Sequence, residues 1–531
     1  MKRIYILFVI GGLLFTACEG ILEKSPLDDI SAETFWISEN DFKLAANDLY
    51  AGIGLSTIED VQSIDYFARN SVSNGTFQAS NTDGGFWSSA YTRIRRANDL
   101  IENAATSVLS ESVTNRYVAE ARFFRGFYHA LLMKRYGDIP YTDKTLDFSD
   151  VTPERDDRSL VVEAIIADFN FAADQLPRKS ELMSNEVGRI TRGVVLGYLS
   201  RIALYEGTRA KYHGYGDANS LLTIARDAAK EVIDEGEYSL FQGPLEEVFY
   251  FENQDNSEVM FSIRYDEEQT GVSPRGRGHV IDASQEPTKY LADAFLCSDG
   301  LPIEKSSLFM GYESLASEFE NRDPRMKATI WEPGTMFDGQ PLVPDLTRTA
   351  TGYWPKKPGD PLAQTVTFVY TDVILMRYAE ILLNYAEAVY ELSGSISDAE
   401  LDNSINILRN RSGVDMPPLS NQFVTANGLE MLEELRRERR VELAGEGFRY
   451  DDIMRWKTAE IDLPMGVLGA VFQQDNYPDL DPGSDINLDE NGVIIAESSE
   501  ARSFEAPRQY LFPLPLRELE LNPNFSQNTD W

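Results

Sequence analysis

Cysteine is nearly absent from this chain: Cys18 and Cys297 are the only two in 531 residues. A network of disulfides is therefore excluded, and a fold of this length must be held by its core. Histidine is almost as scarce, limited to His129, His213 and His279, with no pair at a zinc-ligand spacing. The Gly-x-Ser-x-Gly elbow of a serine hydrolase is missing. So are Walker-type and dinucleotide-binding glycine patterns, since Arg275-Gly-Arg-Gly278 lacks their spacing and strand–loop–helix context. No run of about 18 apolar residues follows the N-terminal segment, so no transmembrane helix is expected. Basic residues are outnumbered, 49 against 86 acidic ones, for a net charge of −37. Such a field repels phosphate backbones and disfavours nucleic acid as a partner. It also disfavours sulfated or uronic polymers, unless a local basic pocket overrides it. No cofactor and no metal site are expected.

What is present begins at the N-terminus. Lys2 and Arg3 precede an apolar stretch from Ile4 to Phe15, interrupted only by Gly11 and Gly12. That stretch falls short of the roughly 20 residues that a spanning helix needs. Thr16-Ala17-Cys18 follows, two small residues and a thiol that can take a thioether-linked lipid. The segment resembles a bacterial lipobox with Phe15 in place of the usual Leu. Residues 1–17 are read as a lipoprotein signal peptide and Cys18 as the lipidated residue; the alternative is an ordinary secretory signal. Lipidation of Cys18 would leave Cys297 with no partner. With 43% hydrophobic and 25% charged residues, the remainder reads as globular.

Helical periodicity runs over residues 41–53, 86–108, 112–136, 159–176, 191–207, 219–234, 373–392, 397–411 and 427–443. In the second of these, Trp87, Tyr91, Ile94, Asn98 and Ile101 recur on one side. Gly137 and Pro140 close the third, and Pro177 stops the fourth. The helices come in adjacent pairs with short connections, and small residues (Ala119, Ala121, Ala379, Ala386, Ala388) would let partners approach closely. Between Gly236 and Thr371, and again from Leu463 to Pro507, Gly, Pro and aromatics cluster and periodicity fades; Glu258–Ile263 reads as β. The expected fold class is mainly α: tetratricopeptide-like helical hairpins packed beside a loop-rich, irregular half with few short strands. The scaffold would occupy residues 40–235 and 372–460 of one globular unit, with loop insertions at 236–371 and 463–507. Binding residues concentrate on loops carried by a rigid scaffold.

Several segments carry a family resemblance. They include Leu22-Glu23-Lys24-Ser25-Pro26 after Cys18, Thr34-Phe35-Trp36, Glu120 to Tyr128 with Arg135 to Pro140, and Gly188 to Arg192. Further along come Cys297 to Pro302, Asn321 to Arg325, Met376 to Glu380, Arg436 to Arg449 with Arg455-Trp456, and Phe512 to Pro515. In this order they resemble the SusD/RagB-like nutrient-binding outer-membrane lipoproteins of Bacteroidetes. The resemblance implies an α-helical fold with tetratricopeptide-like units beside a less regular ligand-binding half. It further implies a lipid anchor at the outer membrane, a SusC-like TonB-dependent transporter as partner, and capture of glycans or, in some members, peptides.

Pyranose rings stack their C–H faces on aromatics, and their hydroxyls suit Asp, Asn and Arg. Trp36, Trp456 and Trp531 sit inside framework motifs and are expected in the core, whereas Trp331 and Trp354 lie in the first insertion. By resemblance to glycan-binding relatives, the ligand site draws Asp65, Arg69, Asn81 and Asp83 from the part before the second helix and Trp87 from that helix's start. Cys297, Asp299, Tyr353 and Trp354 would join from the insertion, and Arg377 from the helix start that follows. Each also has a packing role open to it. If Trp87 is a ligand contact, Trp87→Ala abolishes binding without lowering the melting temperature.

Catalysis is the competing class. Glu380 and Glu387, seven residues apart on one helix, would stand about 10.5 Å apart, near the limit for a glycosidase carboxylate pair. The family motif instead makes them framework partners of the arginines at 436–440. The Arg/Glu-rich run at 436–446 is likewise read as structural pairing rather than a grip on an acidic ligand. The expected function is therefore non-enzymatic oligosaccharide capture and delivery to a transporter. The alternatives are a peptide-binding lid, a glycoside hydrolase and a pure assembly scaffold.

Overall fold

The computed structural model describes residues 35–56, 60–80, 84–147, 152–266, 273, 285–337, 339–365 and 369–531. Cys18, Asn81 and Asp83 lie outside them. The long helices are α1 (Glu39–Tyr50), α2 (Gly84–Ala105), α3 (Glu111–Tyr136), α4 (Arg158–Gln175), α5 (Arg192–His213) and α6 (Ala218–Glu235). They are followed by α7 (Tyr378–Ser393), α8 (Met431–Glu442) and α9 (Arg449–Arg455). From α2 to α6 each helix packs on its neighbour in sequence, and α7 closes on α6, the hairpin stacking that the adjacent pairs imply.

Local chemistry sets the helix ends. The Asp157 carboxylate caps α4 by accepting from the Ser159 amide, and the Thr191 hydroxyl does the same for α5. Gly214 takes φ +78 to end α5, and Gly394 takes φ +70 to end α7. The small residues sit where the helices meet: Ala119, Ala121, Ala379, Ala386 and Ala388 are fully buried. At Gly126 a Cβ would come within 3.0 Å of the Phe169 ring, so α3 and α4 touch through the missing side chain.

Two expected helices differ. Val373–Arg377 is a strand, β2, because its β-branched and apolar residues favour extended backbone that pairs antiparallel with β1 (Val259–Ile263), in the register Val259↔Arg377 and Ile263↔Val373. The helix of this region starts only at Tyr378. Residues 397–411 form two short helices, Asp398–Asp402 and Ile405–Arg409. Between them the Ser404 hydroxyl bonds the Glu400 carbonyl and Asn403 bonds that of Ala399, competing with the helical ladder. The other described strands are also short and pair only as two-stranded ribbons: Tyr66–Phe67 with Glu286–Pro287, Met336–Phe337 with Gln340–Pro341, and Val467–Val471 with Val493–Glu497.

One apolar core runs through the helices from Phe42 to Leu514. A second, built from Tyr66, Leu291, Phe295, Phe319, Met326, Ile330 and Tyr353, lies under the loops and meets α8 at Val441. Between them runs a buried polar layer. Arg325, Lys357, Arg377, Arg409 and Arg411 interlock there with Glu258, Asp323, Glu438, Glu442 and Glu446. No side chain in this set is more than 6% exposed. Charges this deep persist only when paired and hydrogen-bonded.

Candidate ligand-binding site

Loops on the irregular half meet at an aromatic seam lined by Tyr312, Phe319, Trp331, Tyr353 and Gln473. Its free volume is about 10 Å³, room for about one water. A ligand would therefore lie along the rim. The Gln473 amide donates to the Tyr312 carbonyl at 2.6 Å, tying the second insertion to the first. Lys289 donates to the Tyr312 hydroxyl at 2.7 Å and lies over its ring. Trp331 is half-buried; Phe337 meets its ring edge-on at 5.3 Å, and its indole N–H is buried with no acceptor. Nearby, Tyr477 stacks on Phe472 with centroids 5.5 Å apart. Tyr312, Gln473, Phe472 and Tyr477 were not singled out from the sequence; the only signal was their place among aromatics in the two insertions.

The residues expected to contact ligand are dispersed. Trp87 is 5% exposed and packs against Tyr136 and Phe525 at 5.2 and 5.9 Å, so it is a core residue of α2. Asp65 is buried, accepting from Arg440 Nε at 2.8 Å with Arg449 at 3.3 Å; burial opposes its ionisation, and these two guanidiniums hold its carboxyl below the usual range. Tyr353 is buried and donates to Glu318 at 2.8 Å. Trp354 is buried against Leu342, with Trp331 and Phe337 alongside. Cys297 is a fully buried thiol whose backbone bridges to Arg322, and burial raises its pKa. Asp299 is half-buried, accepting from Leu301 N and Ser306 Oγ. Arg377 belongs to the buried ionic layer. Of the described residues in that set, only Arg69 is fully at the surface.

The two carboxylates of the competing catalytic reading are occupied. Glu380 accepts from Arg201 Nε at 2.6 Å, and Glu387 from Arg455 Nη2 and the Trp456 indole, each at 2.7 Å. Burial alone would raise the Glu387 carboxyl, but Arg455 overrides it and brings it down to about 2. A group held ionised in that way cannot serve as a general acid near neutrality. These glutamates are framework residues, as the motif implied, though their partners are Arg201 and Arg455 rather than the 436–440 arginines. His129 is buried, bonded through Nδ1 to the Arg125 carbonyl while Nε2 accepts from Thr142 N.

Comparison with known proteins reaches across the chain. The family described as "SusD family" matches residues 251–531, and that described as "Starch-binding associating with outer membrane" matches residues 45–204. A SusD-like protein P2 of Formosa agariphila is 26% identical over 99% of each chain. The crystal structure of a SusD-like carbohydrate binding protein from Bacteroides fragilis superposes with a TM-score of 0.79 at 25% identity, covering 93% of this chain and 100% of that one. Surface glycan-binding protein A from Bacteroides fluxus shares the fold, with a TM-score of 0.62, 19% identity and the same coverage. The family motifs and the helical stack beside a loop-built half agree with these likenesses, and this chain belongs to the SusD family.

Proposed function

We propose that this protein is a lipid-anchored surface protein that captures an oligosaccharide and passes it to a SusC-like TonB-dependent transporter, without chemistry of its own. The observation that carries the reading is the near full-length likeness to a SusD-like carbohydrate binding protein. The aromatic seam adds to it: Trp331 and Tyr312 offer ring faces, and the Gln473 amide oxygen offers an acceptor for hydroxyls. Glu380 and Glu387, each held by an arginine, argue against a glycosidase. Residues 1–17 act as the signal and Cys18 as the anchor in this reading. Arg69, Asn81, Asp83 and Asp299 remain proposed ligand contacts.

Calorimetric titration of the chain from residue 19 onward, against plant, host and microbial oligosaccharides and a peptide pool, tests the proposal. Binding of a neutral glycan without released sugars supports it. Peptide binding alone changes the cargo, and hydrolysis products overturn it. Co-purification of the full-length protein with a TonB-dependent transporter tests delivery.

A further inference from the structure

A cleft of about 850 Å³ opens on the helical half, away from the aromatic seam. It lies where the end of α3 and the start of α4 meet the end of α5 and the C-terminal segment. Its size is that of small-molecule sites, about 300–1,000 Å³. In a chain of net charge −37, its walls are unexpectedly basic: Arg155, Arg158, Arg209, Lys457 and Arg508, against Asp138, Asp157 and Glu460.

The pairing of these groups is uneven. Arg158 is neutralised from beneath by Glu206, with Nε to Oε2 at 2.8 Å, and Arg508 by Glu505 at 3.2 Å. Asp138 accepts from the Arg158 amide, and Asp157 caps α4. Arg155 bonds only neutral acceptors: the carbonyls of Asp138, Ser526 and Tyr136 and the Asn528 amide oxygen. Lys457 is exposed, and no carboxylate among the described residues pairs with it. Arg209 is the sharpest case. It is 5% exposed, its Nη2 donates to the Tyr510 carbonyl at 3.3 Å, and its Nε and Nη1 have no partner. A buried guanidinium with two unused donors and no counter-charge among the described residues is costly, and native proteins resolve such a group with water or an ion. His213, on the same wall, reports the local field. Burial, then Arg209, Lys457 and Arg158, press its imidazole down to about 4.

The geometry points to this cleft as a binding site for the oxyanion of a charged saccharide, a uronate carboxylate or sulfate ester gripped by Arg209 with Arg155 and Lys457 around it. A guanidinium fork engages two oxygens of such a group at once. The half-exposed Tyr215 on the wall supplies a ring face. The oxyanion assignment is independent of the glycan-capture reading; the saccharide assignment rests on it. The acidity of the whole chain disfavours anionic glycans at long range, and this cleft is the local exception.

The test is saturation-transfer NMR and titration of the full mature chain with glucuronic acid, glucose 6-sulfate, glucose and inorganic sulfate, in wild type, Arg209→Gln and Lys457→Gln. Both charged sugars are expected to bind and glucose to fail. Affinity should drop ten-fold or more in Arg209→Gln and about three-fold in Lys457→Gln, which sits on the surface and leaves the fold intact. Added salt should weaken binding. No binding of either charged sugar to wild type, or equal binding to a folded Arg209→Gln, overturns the proposal. Inorganic sulfate binding as tightly as the sugars overturns the saccharide class. Loss of neutral-oligosaccharide binding at the seam would sink the capture reading, and Arg209→Gln is expected to leave that binding unchanged.

Discussion

Arg377 Nη1 lies 2.7 Å from Glu442 Oε1, and neither side chain is more than 1% exposed. This contact joins β2 to α8, while the same guanidinium reaches Glu258 and Glu446 at 2.7 Å. Removing Arg377 leaves the buried carboxylates of Glu258, Glu442 and Glu446 one cation short, with only Arg325, Lys357 and Arg411 to share among them. Arg377→Ala is therefore expected to destabilise the protein by about 3–5 kcal/mol, read as a lower urea midpoint, with ligand affinity unchanged where the variant is still folded.

Trp87, expected from the sequence to contact ligand, and Trp331, on the seam, should separate cleanly. Trp87, enclosed by Tyr136 and Phe525, gives a cavity when truncated. Trp87→Ala is expected to cost about 3–5 kcal/mol of stability, reversing the behaviour anticipated from its place beside a polar loop. Trp331→Ala, on the seam, should weaken oligosaccharide binding about ten-fold and move the melting temperature little. Calorimetry and thermal denaturation of both variants decide between the roles.

His129 makes stability depend on acid. Burial pushes its imidazole down to about 3, against the pull of the Arg125 carbonyl. The unfolded side chain titrates near 6.5, so at low pH the unfolded state takes the proton first. The stability it contributes is full above about pH 6.5 and is lost as pH falls towards 3, at about 1.4 kcal/mol per unit. Between pH 7 and 4.5 the wild type should lose about 2–3 kcal/mol more than His129→Gln does, in paired denaturant titrations.

Glu387 offers the direct check on catalysis. With its carboxylate held by Arg455 and the Trp456 indole, wild type should release no reducing sugar from any oligosaccharide it binds. Glu387→Gln should lower stability by about 3–5 kcal/mol, with no activity to lose. Sustained product release by wild type that the variant lacks would refute the framework role.

Cys18→Ser should move the protein from the detergent-extracted membrane fraction to the soluble one, since a thioether-linked lipid needs the thiol. Fractionation and labelling with a radioactive fatty acid measure it.

Much of the helical half was legible because its signals are local. Gly137 and Pro177 announce helix ends, and alanines mark close approaches within a few residues of the elements they serve. Val373–Arg377 escaped because a short apolar run has no period long enough to distinguish strand from helix; its identity depends on a partner more than a hundred positions away. The binding side was less legible for a related reason. Tyr353, Trp354 and Arg377 combine the side chains that glycan sites use, yet Glu318, Phe337 and Glu442 bury them, and nothing near them in sequence says so. Arg209 is the converse: its unused donors follow from the absence of a carboxylate in three dimensions, which no local pattern encodes.

The ionic layer beneath the loops limits how this protein can be borrowed or rebuilt. Arg325 comes from the first insertion, Arg377 from β2, and their shared partner Glu442 from α8. A transplant of the irregular half onto another scaffold would carry across half of a lock without its key. Swapping cargo specificity between relatives should therefore succeed when only the rim around Tyr312, Trp331 and Gln473 is exchanged, and fail when the cut passes below it.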